Sequence, residues 1–214
     1  MVKLPRPKRS GALPPLAHDD VRTLNAGTVL ARVYFTGGAF PTRWDVFRRF
    51  GPTNARYDHH LADAGGAAIE QDRSVLYAAA DARTCLAEVY QHTRRIDRVR
   101  DAPWLVIFAL RKPLRLLDLT GSYPTRCGAS MAINTGPRAR ARAWAQQFYE
   151  QHDRLHGLYY ASSMHANRPA IALTDRATAK SVLPPHPQFN RALADDLLLD
   201  VLKHAAADLG YGLR

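Results

Sequence analysis

The chain has 214 residues, 46% hydrophobic and 9% aromatic, enough for one well-buried core with terminal extensions. Its two cysteines, Cys85 and Cys127, form no C-x-x-C pair, and the longest unbroken apolar run, Trp104 to Leu110, is far too short for a membrane-spanning helix; a disulfide framework, a zinc-finger signature and a transmembrane helix are excluded. The net charge of +11, from 30 Lys and Arg against 19 Asp and Glu, attracts anions of any kind and does not choose among nucleic acid, phosphorylated metabolites and acidic proteins.

In chain order, residues 1–27 form a basic Pro-rich extension in which Lys3, Arg6, Lys8 and Arg9 alternate with Pro5 and Pro7, a composition expected to be extended and mobile. No apolar segment follows those charges to act as a secretory signal, so a cytoplasmic protein with reduced thiols is expected. Thr28 to Phe35 is β-branched and aromatic between Gly27 and Gly37 and reads as a strand, with Arg32 interrupting its apolar run. Arg43 to Phe50 reads as a short helix. Gly51-Pro52-Thr53-Asn54 is a turn leading into Arg56, read as strand edge.

Val75 to Ala79 reads as a strand ending near Tyr77, and Asp81 as the N-cap of a helix over Ala82 to His92. The buried stripe of that helix would be Ala82, Cys85, Leu86, Val89 and Tyr90, which puts Glu88 on its flank, half-buried and able to meet a ligand. Trp104 to Leu110 and Leu114 to Thr120 read as neighbouring strands around a turn at Arg111-Lys112-Pro113. A helix is expected from Pro137 to His152, strands over Gly157 to Ser162 and Ala170 to Thr174, and a last helix from Arg191 to Leu209, with Asn190 as cap and Gly210 as stop. Strands and helices mix without regular βαβ alternation, so the fold class is α+β in a single domain.

Several clusters carry less. No G-x-G-x-x-G or P-loop pattern occurs. Asp58-His59-His60 lacks metal-ligand spacing, and His152 and His156 read as a solvated helix end, so no metal site is expected. Arg138, Arg140 and Arg142 alternate with alanines and read as a solvated helix face, with no interleaved aromatics to suggest nucleic-acid binding. Arg32 differs from these, because a guanidinium inside an apolar strand requires a partner or a route to water.

The ordered set Arg32-Val33-Tyr34, Asn54-Ala55-Arg56-Tyr57, Val75-Leu76-Tyr77, Leu86-Ala87-Glu88-Val89 and Tyr159-Tyr160-Ala161-Ser162 resembles the RES domain family, named for its Arg, Glu and Ser. The resemblance covers about residues 29–176 and departs from the family at Ala55, where a glycine is usual, and at Tyr57, which replaces Trp or Phe. It implies an ADP-ribosyltransferase-like β core over residues 28–180, with 181–214 packed on it as a helical segment. It implies a bacterial toxin paired with an Xre-type helix-turn-helix antitoxin, which consumes NAD as a substrate without a metal. The nicotinamide–ribose bond would be cleaved by water or phosphate, or ADP-ribose transferred to a protein. By the same resemblance Glu88, Arg32 and Tyr77 are catalytic, and Arg32, Arg56, Tyr57, Tyr77 and Ser162 bind NAD, with Ser163 an alternative to Ser162. The competing reading from charge alone is a non-catalytic basic module for nucleic acid.

Overall fold

A computed structural model describes residues 3–8 and 11–214. Eleven strands, β1 (Val21–Leu24), β2 (Val29–Phe35), β3 (Arg48–Gly51), β4 (Ile69–Ala79), β5 (Arg95–Ile96), β6 (Pro103–Ala109), β7 (Leu114–Asp118), β8 (Gly157–Ala161), β9 (Pro169–Thr174), β10 (Phe189–Ala192) and β11 (Gly212–Leu213), are joined by five α-helices. These are α1 (Ala82–Val89), α2 (Tyr123–Arg126), α3 (Arg138–Gln151), α4 (Asp175–Ala179) and α5 (Leu199–Leu209). Nine strands make one mixed sheet in the order β1-β7-β8-β9-β4-β2-β6-β10, with β3 also on β4; β5 and β11 pair separately. The arrangement is the expected α+β fold in one domain.

Alternation along the strands sends side chains to two cores, one on each face of the sheet. Ala31, Val33, Val75 and Ala79 join α1, α3 and α5 on one face. Leu30, Tyr34, Leu76 and Ala78 join Ala177 of α4, Trp44 and Phe47 on the other.

The feature that positions the site is a defect in this sheet. β2 pairs with β6 over seven consecutive residues but touches β4 at the single register Ala31↔Ala79. Val75 pairs with both β9 and β3, and Ala79 with both β9 and β2, so β3 and β2 share one edge of β4. Between those two contacts that edge carries no strand partner. Beyond Ala31 the strands β2 and β4 diverge, and the sheet opens.

Several expectations are corrected. Arg43 to Phe50 is a turn followed by β3: Trp44 packs its ring against Phe108 at 5.5 Å, and Phe47 also faces the second core, from irregular chain rather than a helix. Arg56 lies in a turn. The strands before and after Arg111-Lys112-Pro113 are in one sheet but not neighbours, since β6 lies between β2 and β10 while β7 lies between β1 and β8. α1 ends at Val89, which is exposed, and Thr84 and Ala87 take places in its buried face. Pro137 is the N-cap of α3 rather than its first turn. Asn190 lies in β10, and the last helix begins only at Leu199; its stop at Gly210 is as expected, in the left-handed conformation (φ 64°) that glycine adopts without a Cβ clash.

The leader also departs from a free arm. Leu4 is buried, and one stripe of α3 donates to leader carbonyls: Arg140 to Leu4 O at 2.7 Å, Trp144 to Pro5 O at 2.8 Å, and Gln151 to Gly11 O at 3.1 Å. These residues recur at helical spacing, so a single face of α3 holds the extended segment. No helix among the described residues is long and apolar enough to cross a membrane.

Candidate active site

Where β2 and β4 part, a cavity of about 560 Å³ opens, within the roughly 300–1,000 Å³ of small-molecule sites. Arg32 and Val33 form one lip and Tyr77, Ala78 and Ala79 the other. The Arg32 guanidinium spans the gap, Nη1 donating to Tyr77 O at 3.2 Å, on the unpartnered stretch of β4. Its buried Nε has no partner. Burial pushes the Arg32 guanidinium down to about 10, which still leaves it charged at neutral pH.

Glu88 enters from α1. The Asp81 carboxylate caps that helix, accepting from Thr84 N at 2.8 Å and Thr84 Oγ1 at 2.9 Å. Cys85 Sγ donates to Ala31 O at 2.9 Å, tying α1 to the residue where the sheet splits. Burial pushes the Cys85 thiol up to about 12, so it packs rather than reacts. One turn beyond this tie, Glu88 is half-buried and lines the cavity, as the helical phasing requires.

Ser162 Oγ lies 2.5 Å from Glu88 Oε1 and accepts from Met164 N and His165 N, each at 3.2 Å. With both backbone amides on its lone pairs, its single proton is directed to the Glu88 carboxylate. Ser162 is fully buried behind the wall, and Ser163 is the serine that faces the cavity.

Arg56 lines the opposite wall, where its Nη1 donates to Gly136 O at 2.6 Å. Burial lowers its pKa, and neighbouring Arg138 acts in the same direction. Tyr57 stands behind the cavity: its hydroxyl donates to Asn134 Oδ1 at 2.6 Å, and its ring packs on that of Tyr160 at 4.5 Å. Burial raises the hydroxyl pKa of Tyr57, Tyr77 and Tyr160 well above the usual value, so all three stay neutral.

The structure therefore brings Arg32, Arg56, Tyr77 and Glu88 to one cavity and sets Tyr57 and Ser162 directly behind it, as supports for Tyr160 and Glu88. It adds wall residues that the sequence did not single out: Tyr160, Asn134, Gln91 and His92. Arg138, which reads as part of a solvated face, lines the cavity, while Arg140 binds the leader and Arg142 Nη1 donates to Asn54 Oδ1 at 3.3 Å. Tyr160 sits within the Tyr-Tyr-Ala-Ser motif, so a signal for it was present. Nothing local marked Arg138.

The Asp58-His59-His60 cluster is a separate network built around the Asp58 carboxylate, with the buried Nε2 atoms of His59 and His60 left without a partner. Asp58 accepts from Arg48 Nη2 at 2.8 Å, Thr53 N at 2.6 Å and the His60 ring, and His59 stacks on Tyr149 at 4.3 Å. A Cβ on Gly51 would meet His60 Cγ at 2.5 Å, so the ring packs where only glycine leaves room. Among the described residues no group of three or more His, Cys, Asp or Glu is arranged to hold a metal.

The structure thus presents an open cleft in a split mixed sheet, with arginines on its walls and one glutamate on a helix, whose size and charge suit an anionic small molecule. The RES domain profile matches residues 30–194, well over half of the chain, and the protein belongs to the RES domain family. Among solved structures, a chain of the M. tuberculosis MbcT-MbcA toxin-antitoxin complex shares the fold, with a TM-score of 0.54 and 17% identity over 83% of this chain and 90% of that one. None of the curated proteins compared matches the chain.

Proposed function

We propose that the protein is the toxin of a bacterial toxin–antitoxin pair and degrades NAD by cleaving the nicotinamide–ribose bond. The observation that carries this reading is the convergence of Arg32, Arg56, Tyr77 and Glu88 on one cavity at the split in the sheet, with Ser162 fixing the Glu88 carboxylate. Membership of the RES family and the fold shared with a toxin–antitoxin protein support it.

The chemistry suits these groups. NAD carries an anionic pyrophosphate, for which planar, permanently charged arginines are suitable partners. As the bond from ribose C1 to the cationic nicotinamide nitrogen breaks, positive charge develops on the ribose. A fixed carboxylate stabilises that charge more in the transition state than in the ground state, and Glu88 supplies it. The bonding pair leaves with neutral nicotinamide. Water attacking C1 then gives ADP-ribose and one proton; inorganic phosphate gives the 1-phosphate instead. Tyr77 packs on the substrate beside Arg32.

The partner is an antitoxin, of the Xre helix-turn-helix type by family resemblance. The +11 charge favours an acidic docking surface on it. The internal bonds of Arg140 and Arg142 speak against a nucleic-acid module, since both are engaged within the chain.

Purified protein freed of antitoxin is expected to release nicotinamide from NAD, and Glu88→Gln to slow release on the order of 10²- to 10³-fold while keeping the fold. Product analysis with and without phosphate separates hydrolysis from phosphorolysis, and labelled NAD with lysate tests transfer to protein. Intact NAD in every arm would overturn the reading.

A further inference from the structure

Ten arginines among the described residues have a carboxylate within ion-pair distance, Arg22 with Asp118 and Arg73 with Glu150 among them. The three that line the cavity, Arg32, Arg56 and Arg138, have none. Their contacts are neutral. Arg32 donates to a carbonyl, Arg56 to two carbonyls, and Arg138 to Gln91 Oε1 at 2.6 Å and His92 Nε2 at 2.8 Å. Among the described residues Glu88 is the only carboxylate on the wall, so three guanidiniums against one carboxylate leave two formal positive charges facing the cavity. Two is the negative charge of a dinucleotide pyrophosphate.

The three arginines differ in position. Arg32 is deep, in the gap between the strands and near Cys85 at the root of α1. Arg56 and Arg138 lie together on the α3 side, Arg56 Nη1 donating to Gly136 O at 2.6 Å, two residues before Arg138. Arg138 is the first residue of α3, and its two neutral acceptors lie just past the end of α1, the helix that carries Glu88. Gln91 in turn donates to Glu88 O at 2.6 Å. The guanidinium is thus held at a fixed place across the mouth while most of its donor capacity remains for a ligand. Two like charges held side by side without a counterion are stabilised by an anion between them.

We propose that Arg138 is a further substrate-binding residue, which with Arg56 forms the pyrophosphate subsite of the cleft, while the Glu88 carboxylate is left for the nicotinamide ribose. The assignment rests on the NAD reading above. It reverses the view of Arg138 as a solvated helix residue, and it makes the pair Arg56 and Arg138 the determinant of selectivity for ligands with a charged phosphate bridge.

Isothermal titration of ADP-ribose, with nicotinamide as the uncharged comparison, tests it on wild type, Arg138→Gln and Arg138→Lys. Arg138→Gln is expected to weaken ADP-ribose about tenfold to hundredfold, the scale of a charge-assisted hydrogen bond, and to flatten the salt dependence of binding. Nicotinamide affinity should be unchanged. Arg138→Lys keeps the charge without the forked donors, so it should fold as wild type does and show an intermediate loss. ADP-ribose affinity within twofold of wild type in either variant would overturn the assignment, as would equal weakening of both ligands, which marks Arg138 as a support for the wall. If wild type binds no ADP-ribose, the NAD reading falls and takes the subsite with it.

Discussion

Two regions of this molecule are rich in half-buried or buried charge, and they are built in opposite ways. Around Asp58 the charge is answered within the chain: the carboxylate accepts from Arg48, Thr53 and His60, and the His59 ring stacks on Tyr149, while only the ring nitrogens His59 Nε2 and His60 Nε2 lack a hydrogen-bond partner. At the split between β2 and β4 the arginines meet only neutral acceptors, and an Arg32 nitrogen is left with no partner at all. Buried polar groups cost stability unless they are satisfied. A charge neutralised within the chain is therefore structural, while cations left without a carboxylate along a cavity are shaped for something that arrives later. Charge content alone does not separate the two.

Crossed substitutions probe the contrast most strongly. Glu88→Gln should reduce nicotinamide release on the order of 10²- to 10³-fold while the melting temperature stays within about 2 °C of wild type. Asp58→Ala should do the reverse. It leaves buried donors on His60 and Thr53 without an acceptor and should destabilise the fold by about 3 kcal/mol, read by urea unfolding, with activity per folded molecule retained. If Asp58→Ala abolished turnover in a fully folded protein, the Asp58 region would belong to the site and the distinction would fail.

Ser162→Ala comes next in size. It removes the donor to Glu88 Oε1 but nothing that faces the cavity, so the rate should fall about tenfold with KM for NAD little changed. A raised KM with an unchanged rate would instead place the Ser162 hydroxyl on the ribose.

The smallest effect is a two-stage loss of stability in acid. Burial holds His59, His152 and His156 below the usual histidine range, so the unfolded chain takes up protons first as pH falls through roughly 6.5, and stability declines from there. Burial opposes ionisation of Asp58, but His60, Arg48 and Thr53 hold its carboxyl well below the ordinary range. Its stabilisation is present above the unfolded value near 4 and is lost as pH falls below that. Urea midpoints at pH 7, 5 and 3.5 should show both stages, with the second reduced in Asp58→Asn and the remainder carried by other carboxylates held low, Asp175 among them.

Much of this was legible in the chain. The β-branched and aromatic runs around Arg32, Val75 and Tyr160 specify strands locally, and Asp81 with the apolar stripe behind it specifies α1 and the phase of Glu88. What local pattern cannot state is which strands become neighbours. The turn at Arg111-Lys112-Pro113 sets a reversal, but β6 and β7 find their partners on opposite sides of the split. The 43–50 segment has apolar residues three apart at Trp44, Phe47 and Phe50, a helical spacing that instead serves packing on a distant strand and an edge pairing. Arg138 was obscured for a similar reason: its partners His92 and Gln91 are 46 and 47 residues away, and no spacing rule reaches that far.

The central claim is that the open network around Glu88 breaks the nicotinamide–ribose bond. Its most direct test is nicotinamide released from NAD, followed by proton NMR, for antitoxin-free wild type beside Glu88→Gln of equal melting temperature. The expected result is steady release with wild type and release slowed on the order of 10²- to 10³-fold with the variant. Equal release from both, or none from a folded wild type, would contradict it.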